Sequence, residues 1–133
     1  MRKILTFGVW DLFHFGHLRL LQRCKALGDF LIVAVQKDEY VQKNKPNIQL
    51  IYNTEQRVEM IKSLKCVDAV VEYKCVPQDI KNYDFDIFVV GGDQNNDDIK
   101  KAIKWCNNNK KQVVVLERTP NISSTKIRSV LDY

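Results

Sequence analysis

The sequence predicts a doubly wound α/β fold: a Rossmann-like, five-stranded parallel sheet with helices on both faces. Three observations predict it. Five short runs dominated by Val, Ile, Leu and Phe recur along the 133 residues. Segments with apolar residues at helical spacing lie between them. The runs are near-continuous instead of alternating, as strands covered on both faces must be.

Taken in order, the run 3–9 reads as a first strand ending in a Gly. A helix follows over 16–27, from the spacing of Leu18, Leu20, Leu21 and Leu27, and is stopped by Gly28. The run 29–35 is a second buried strand. The polar stretch 36–53 has no apolar periodicity and is expected to be a long loop that can act as a lid. A helix over 54–64 is capped by Asn53 or Thr54. A third strand over 67–73, a short helix over 77–83, a fourth strand over 85–90 before Gly91-Gly92, and a helix over 97–108 come next. A fifth strand over 112–116 and a helix over 123–131 complete the pattern. No linker or internal repeat divides the chain, so residues 1–133 are read as one domain.

Composition narrows the class. With 45% hydrophobic and 28% charged residues there is material for a core and too much of it for disorder. No apolar run approaches the roughly 20 residues of a membrane-spanning helix, and the opening segment turns polar too early for a signal peptide, so no membrane partner and a cytoplasmic location are expected. The four cysteines form no Cys-x-x-Cys pair, which points to reduced thiols and not to a zinc cage or disulfide framework. A net charge of +5, from 21 Lys and Arg against 16 acids, suits an anionic partner.

In a doubly wound sheet, ligands bind beyond the carboxyl ends of the strands, where the strand order reverses. The residues following each predicted strand should therefore carry the chemistry. After the first come Gly8, Asp11, His14, Gly16 and His17; after the second, Lys37 through Lys45. Gly91, Gly92, Asp93, Gln94 and Asn95 follow the fourth, and Arg118, Thr119, Ser123, Ser124, Thr125 and Lys126 the fifth. Both histidines of the chain sit three apart in one turn. The two helix starts at 16–19 and 123–128 carry His, Arg and Lys where the helix dipole normally attracts acids. Backbone N–H groups, hydroxyls and basic side chains at a helix start describe a phosphate site, and two of them on one edge suggest a polyphosphate.

Each piece has a plainer reading. His-x-x-His can hold a metal, though no third His or Cys pair accompanies it. Ser123 can be only a cap, Asp11 and Asp93 can satisfy turn amides, and Lys43 and Lys45 can be a solvated loop. No G-x-G-x-x-G or Walker pattern occurs, which argues against a dinucleotide oxidoreductase or a P-loop ATPase. A basic nucleic-acid-binding module lacks interleaved aromatics and a recognition helix, so nucleic acid is not the expected partner.

The sequence His14-Phe15-Gly16-His17 after the first strand, together with Arg118-Thr-Pro-Asn-Ile-Ser-Ser-Thr125, resembles the small nucleotidyltransferases of the cytidylyltransferase type over essentially the whole chain. It looks closest to members that use glycerol 3-phosphate. The resemblance implies transfer of a cytidylyl group from CTP to a small alcohol phosphate, with Mg²⁺ or another divalent ion, by a homodimer. It implies that His14 and His17 grip phosphates, with Lys43, Lys45 and Arg118 as further catalytic cations. Thr6, Phe7, Gly8, Asp11, Gly16, Gly92, Asp93, Arg118, Thr119, Ser123, Ser124 and Thr125 would cradle the nucleotide. Lys43, Lys45, Arg57 and Lys65 would meet the acceptor. Position 65 is Lys where close relatives of this type carry Arg, and 91–96 reads Gly-Gly-Asp-Gln-Asn-Asn where the glycerol-phosphate members carry Gly-Asp-Asp-Trp. Adenylyl transfer to a sugar phosphate, or cytidylyl transfer to ethanolamine phosphate or another polyol phosphate, are the alternatives this leaves.

A phosphate monoester has a second pKa near 6 and is already largely a dianion at neutral pH, so no general base is required. The task is to join two polyanions and spread charge on the α-phosphoryl group, which calls for positioned donors. The histidines are therefore predicted to be hydrogen-bond donors and not proton shuttles.

Overall fold

The computed structural model describes residues 1–92 and 94–117. Strands β1 (Lys3–Gly8), β2 (Phe30–Gln36), β3 (Ala69–Tyr73), β4 (Ile87–Gly91) and β5 (Gln112–Leu116) form one sheet in the order β3-β2-β1-β4-β5, and every pairing is parallel. The chain thus winds outward from β1 in one direction to β3 and then in the other to β5, which is the predicted doubly wound architecture.

Helices cover both faces. Against one, Leu21 and Cys24 of α1 (Phe15–Ala26) and Ile61 of α3 (Thr54–Lys62) pack on Ile4, Leu31, Val33, Val35, Ile87 and Val89. Against the other, α4 (Val76–Asp79), the 3₁₀ turn Ile80–Asn82 and α5 (Asp97–Asn108) pack on Leu5, Phe7, Ala34, Phe88 and Val90. The strand residues alternate between the two cores, which is why the runs read as continuously apolar. All four cysteines are free.

The amino ends of the strands are tied by a repeated device. Asp29, Asp68 and Asp86 each lie at or just before the start of a strand and reach sideways to a neighbouring strand. Asp29 accepts from Arg2 N–H, Asp68 from Leu31 N–H and Asp86 from Lys3 N–H, at 2.7–2.8 Å. Each satisfies an amide that the ladder has not yet reached.

The stretch 36–53 is not simply a loop. Asp38–Asn44 forms helix α2, with Asp38 and Glu39 in its first turn, and its backbone start is held where Asp38 N–H donates to Thr54 Oγ1 at 2.9 Å. Its one buried apolar residue, Val41, gives too weak a period to be read from sequence. The other end is fixed at Ile51 and Tyr52, so a lid of the expected length is reduced to about 45–50. The expected helix over 123–131 lies outside the described residues.

Candidate functional site

The sheet opens where its order reverses. β1 pairs with β2 as far as Gly8↔Val35, and β4 pairs with β5 as far as Gly91↔Leu116, but β1 and β4 stay paired only to Thr6↔Val89. Beyond that rung β1 and β4 are no longer paired, and the chain turns after β1.

This turn is made by two non-glycine residues with left-handed backbone, Trp10 (φ 62°) and Leu12 (φ 49°). The Trp10 indole is buried and donates Nε1–H to Ala34 C=O at 3.0 Å, which holds the strained turn in place. Gly8 lies directly beneath it: a Cβ at that position would sit 2.6 Å from the indole ring. Internal packing is therefore reason enough for glycine at position 8, whatever role it has toward a nucleotide.

The two histidines form a reciprocal cap at the start of α1. His14 Nδ1 accepts from Gly16 N–H at 3.0 Å and from His17 N–H at 3.4 Å, while His17 Nδ1 accepts from His14 N–H at 3.3 Å. The rings stack with centroids 3.8 Å apart. Because both Nδ1 atoms act as acceptors, the neutral rings carry their protons on Nε2. Burial, and next the proximity of His14, push His17 down to about 3, opposed by Asp11; Trp10 and Phe13 rings flank it at 5.4 Å. His17 is thus a neutral Nε2–H donor throughout the physiological range. The expectation that α1 presents open main-chain N–H groups is corrected, because His14 itself occupies those of Gly16 and His17 and its carbonyl accepts from Leu18 N–H.

Asp11 and Arg57 brace this turn from behind. Both Asp11 oxygens accept main-chain N–H groups across the site, from Ile51 and Tyr52 at 3.0 Å. Arg57 is completely buried, and each of its five N–H donors has a protein acceptor: Nε to Tyr52 C=O at 3.1 Å, Nη1 to Val9 and Gln36 C=O at 2.8 and 2.7 Å, and Nη2 to Asp38 and, at 3.4 Å, Thr54 Oγ1. Burial raises the Asp38 carboxyl, but the Arg57 and Thr54 bonds outweigh it and leave Asp38 below the ordinary carboxylate value. A direct acceptor contact by Arg57 is corrected on this geometry: no N–H remains for a phosphate, and the side chain instead ties the ends of β1 and β2 to α2 and α3.

Other expected site residues are distributed as follows. Thr6 is buried within the sheet and donates its hydroxyl to Val89 C=O at 3.1 Å, so nucleotide contact by that hydroxyl is corrected to a strand-strand bond. The Phe7 ring belongs to the core, edge-on to Tyr73 and Phe88, and its carbonyl accepts from Gln94 Nε2 at 3.0 Å, so nucleotide contact by this residue is corrected to packing and a strand link. Gly16 is in the first turn of α1, and Gly92 is exposed just past β4. Lys43 lies in the last turn of α2 and Lys45 follows the helix; both are exposed, and neither forms an ion pair among the described residues. Lys65 is corrected within this chain: it lies in the turn between α3 and β3, at the amino ends of the strands and opposite the histidines. Asp93, Arg118, Thr119, Ser123, Ser124 and Thr125 lie outside the described residues.

Sequence reasoning missed Asp38 and Gln94. Asp38 fell within the stretch 36–53 read as a polar loop, with no sign that it pairs with Arg57. Gln94 stood among the residues following the fourth strand and within the departing stretch 91–96, but with no role assigned, and its carboxamide links β4 to β1. Among the described residues no three His, Cys, Asp or Glu side chains are grouped to hold a metal ion. The Nδ1 atoms of both histidines and both oxygens of Asp11 already accept main-chain N–H groups.

The histidine pair thus stands just past the carboxyl end of β1, the strand from which the sheet order runs in both directions. The model of the cytidylyltransferase-like family matches residues 5–130. The glycerol-3-phosphate cytidylyltransferase of Staphylococcus aureus is 39% identical, covering 98% of this chain and 96% of the relative. An FAD synthase of Thermococcus sibiricus is 38% identical over 80% of this chain and 75% of its own. Among solved structures, the lipopolysaccharide core biosynthesis protein of Thermoplasma volcanium superposes with a TM-score of 0.73 at 27% identity, covering 90% of this chain and 97% of that one. The chain belongs to the cytidylyltransferase-like family and is a nucleotidyltransferase enzyme.

Proposed function

We propose that this enzyme transfers the cytidylyl group of CTP to glycerol 3-phosphate, releasing pyrophosphate. The single observation that carries the reading is the His14–His17 pair, whose shared cap at the start of α1, in the turn that follows β1, commits both Nδ1 atoms and makes each ring an Nε2–H donor. The choice of base and acceptor is supported by relatives 38–39% identical over nearly the whole chain that are named for that reaction.

The acceptor phosphate is already a nucleophile at neutral pH, and it attacks the α-phosphorus of CTP as the bond to the pyrophosphate oxygen breaks. Negative charge grows on the α-phosphoryl oxygens and the departing pyrophosphate. His14 and His17 donate to these oxygens, and a neutral imidazole does so without gaining or losing a proton. Lys43 of α2 and Lys45, just after it, bring positive charge toward the same edge and meet the acceptor. The divalent ion enters as part of the substrate, bound by the triphosphate, since Mg²⁺ is commonly held largely through substrate phosphates. We read the working form as a cytoplasmic homodimer, on the family resemblance.

The test is pyrophosphate release with Mg²⁺, with CTP and ATP each offered against glycerol 3-phosphate, ethanolamine phosphate, longer polyol phosphates and sugar phosphates. Turnover is expected to be highest with CTP and glycerol 3-phosphate. A preference for ATP with a sugar phosphate would overturn the base and the acceptor together.

A further inference from the structure

The β1–β4 ladder stops short of its neighbours, and a side chain stands where its next rung would be. With Thr6 opposite Val89 in a parallel register, the following hydrogen bond would run from Gly91 N–H to the Phe7 carbonyl. Instead Gly91 N–H donates to Gln94 Oε1 at 2.9 Å, and Gln94 Nε2 donates to Phe7 C=O at 3.0 Å. The main-chain N–H of Gln94 donates back to Gly91 C=O at 2.9 Å, which fixes the turn that delivers the side chain.

We propose that Gln94 is a positioning residue that splices the two strand ends together through its carboxamide and so sets the width of the crevice that receives the nucleotide. The inference rests on the nucleotidyl-transfer reading above. A carboxamide is the side-chain copy of a peptide unit: it offers one acceptor and one donor and can extend a ladder without the two backbones meeting. The strands are held apart by the span of that group, and Gly91 and Gly92 are presented on one side with the β1 turn on the other. Few residues can replace it. Ionised glutamate accepts from Gly91 but has no proton for Phe7, methionine of similar length offers no N–H to Phe7 and at best a weak acceptor to Gly91, and asparagine is one methylene too short.

The histidines are held by their own cap and do not depend on this splice. Loss of Gln94 therefore weakens nucleotide binding equally in ground and transition states, which raises KM and spares kcat. The decisive variants are Q94M and Q94E. In Q94M, hydrogen exchange of the Gly91 amide should be about tenfold faster or more, while the amides of Leu5 and Val89 keep their protection. In Q94E, the Gly91 amide keeps its acceptor and stays protected. Both variants should raise KM for CTP about tenfold, the equivalent of one or two neutral hydrogen bonds, with kcat and the acceptor KM nearly unchanged. Unaltered Gly91 exchange in Q94M, or a fall in kcat at constant KM in either variant, would overturn the proposal. If the wild-type protein turned over no nucleotide, the functional reading would fail, while the exchange measurement, which needs no substrate, would still decide whether Gln94 splices the strands.

Discussion

The two edges of the sheet spend their polar groups in opposite ways. At the amino edge, Asp29, Asp68 and Asp86 each satisfy a strand amide, Lys3 pairs with Asp84 at 2.8 Å, Lys25 with Asp68 at 2.5 Å, and Lys111 donates to Phe85 C=O. The groups doing this are largely exposed, where an ion pair contributes little. A hollow of about 840 Å³ opens on this edge, but its two acids, Asp29 and Asp86, are already committed to main-chain amides. At the carboxyl edge the pattern inverts. Thr6, Asp11, Gln36 and Arg57 are the buried polar side chains among the described residues, and all lie at or brace the carboxyl half of β1 and β2. Burying polar groups costs stability unless every partner is supplied, and here the partners hold a strained turn and two histidines in place.

The largest effect expected from breaking this contrast is on stability, at Arg57. Replacing it with leucine would strip the carbonyls of Val9, Gln36 and Tyr52 of a charged donor and leave Asp38 without its cation. Removing one partner of a buried charged network costs about 3 kcal/mol or more, read as a lower denaturant midpoint. Arg57→Lys should be intermediate, since an ammonium has three donors for five acceptors. A leucine variant as stable as wild type but unable to use the acceptor would make Arg57 a ligand and not a brace.

Next in size is His17. Loss of one positioned donor costs on the order of 3 kcal/mol, so His17→Ala should fold yet lose about a hundredfold or more in turnover with saturating substrates. The same residue links stability to pH. Its imidazole titrates near 6.5 when unfolded but near 3 in the folded protein. Between these values the unfolded chain binds more protons, so the folded state loses stability as pH falls from about 6.5 toward 3. His17→Ala should show a shallower decline than wild type across that window in pH-dependent urea denaturation. Equal slopes would mean that His17 is not buried as a neutral ring.

How much of this the sequence disclosed follows the same division. The strands were legible because burial on both faces leaves apolar runs, and the histidine turn because it falls right after β1. Helix α2 was not, because its seven residues bury only Val41 and its start depends on Thr54, sixteen positions later. The cap at α1 was also hidden. Serine, threonine, asparagine and aspartate are the usual caps, and only the folded turn shows that His14 Nδ1 takes that role. Arg57 and Lys65 read as equivalent cations in sequence, eight positions apart. The topology puts one beneath the histidine turn and the other at the opposite edge, because α3 runs the full depth of the sheet between them.

The smallest expected effect is at the amino edge, and it tests whether that edge is purely structural. Asp68 accepts Leu31 N–H at 2.7 Å and pairs with Lys25; the Lys25 bond outweighs the opposing effect of burial and, with the lesser help of the Leu31 amide, holds the carboxyl below its ordinary value. Asp68→Ala should lower stability by about 1 kcal/mol, one net hydrogen bond to a partly exposed site. Asp68→Asn keeps an acceptor for Leu31 and loses only the charge, so its deficit should be about half a kcal/mol or less, the value of an exposed ion pair. Turnover should be unchanged in both, because Asp68 lies just before β3, at the amino ends of the strands and away from the carboxyl end of β1 where the histidine turn begins. If either variant lowered kcat with stability intact, the two edges would be coupled through the strands, and the separation of structural acids from functional donors would not hold.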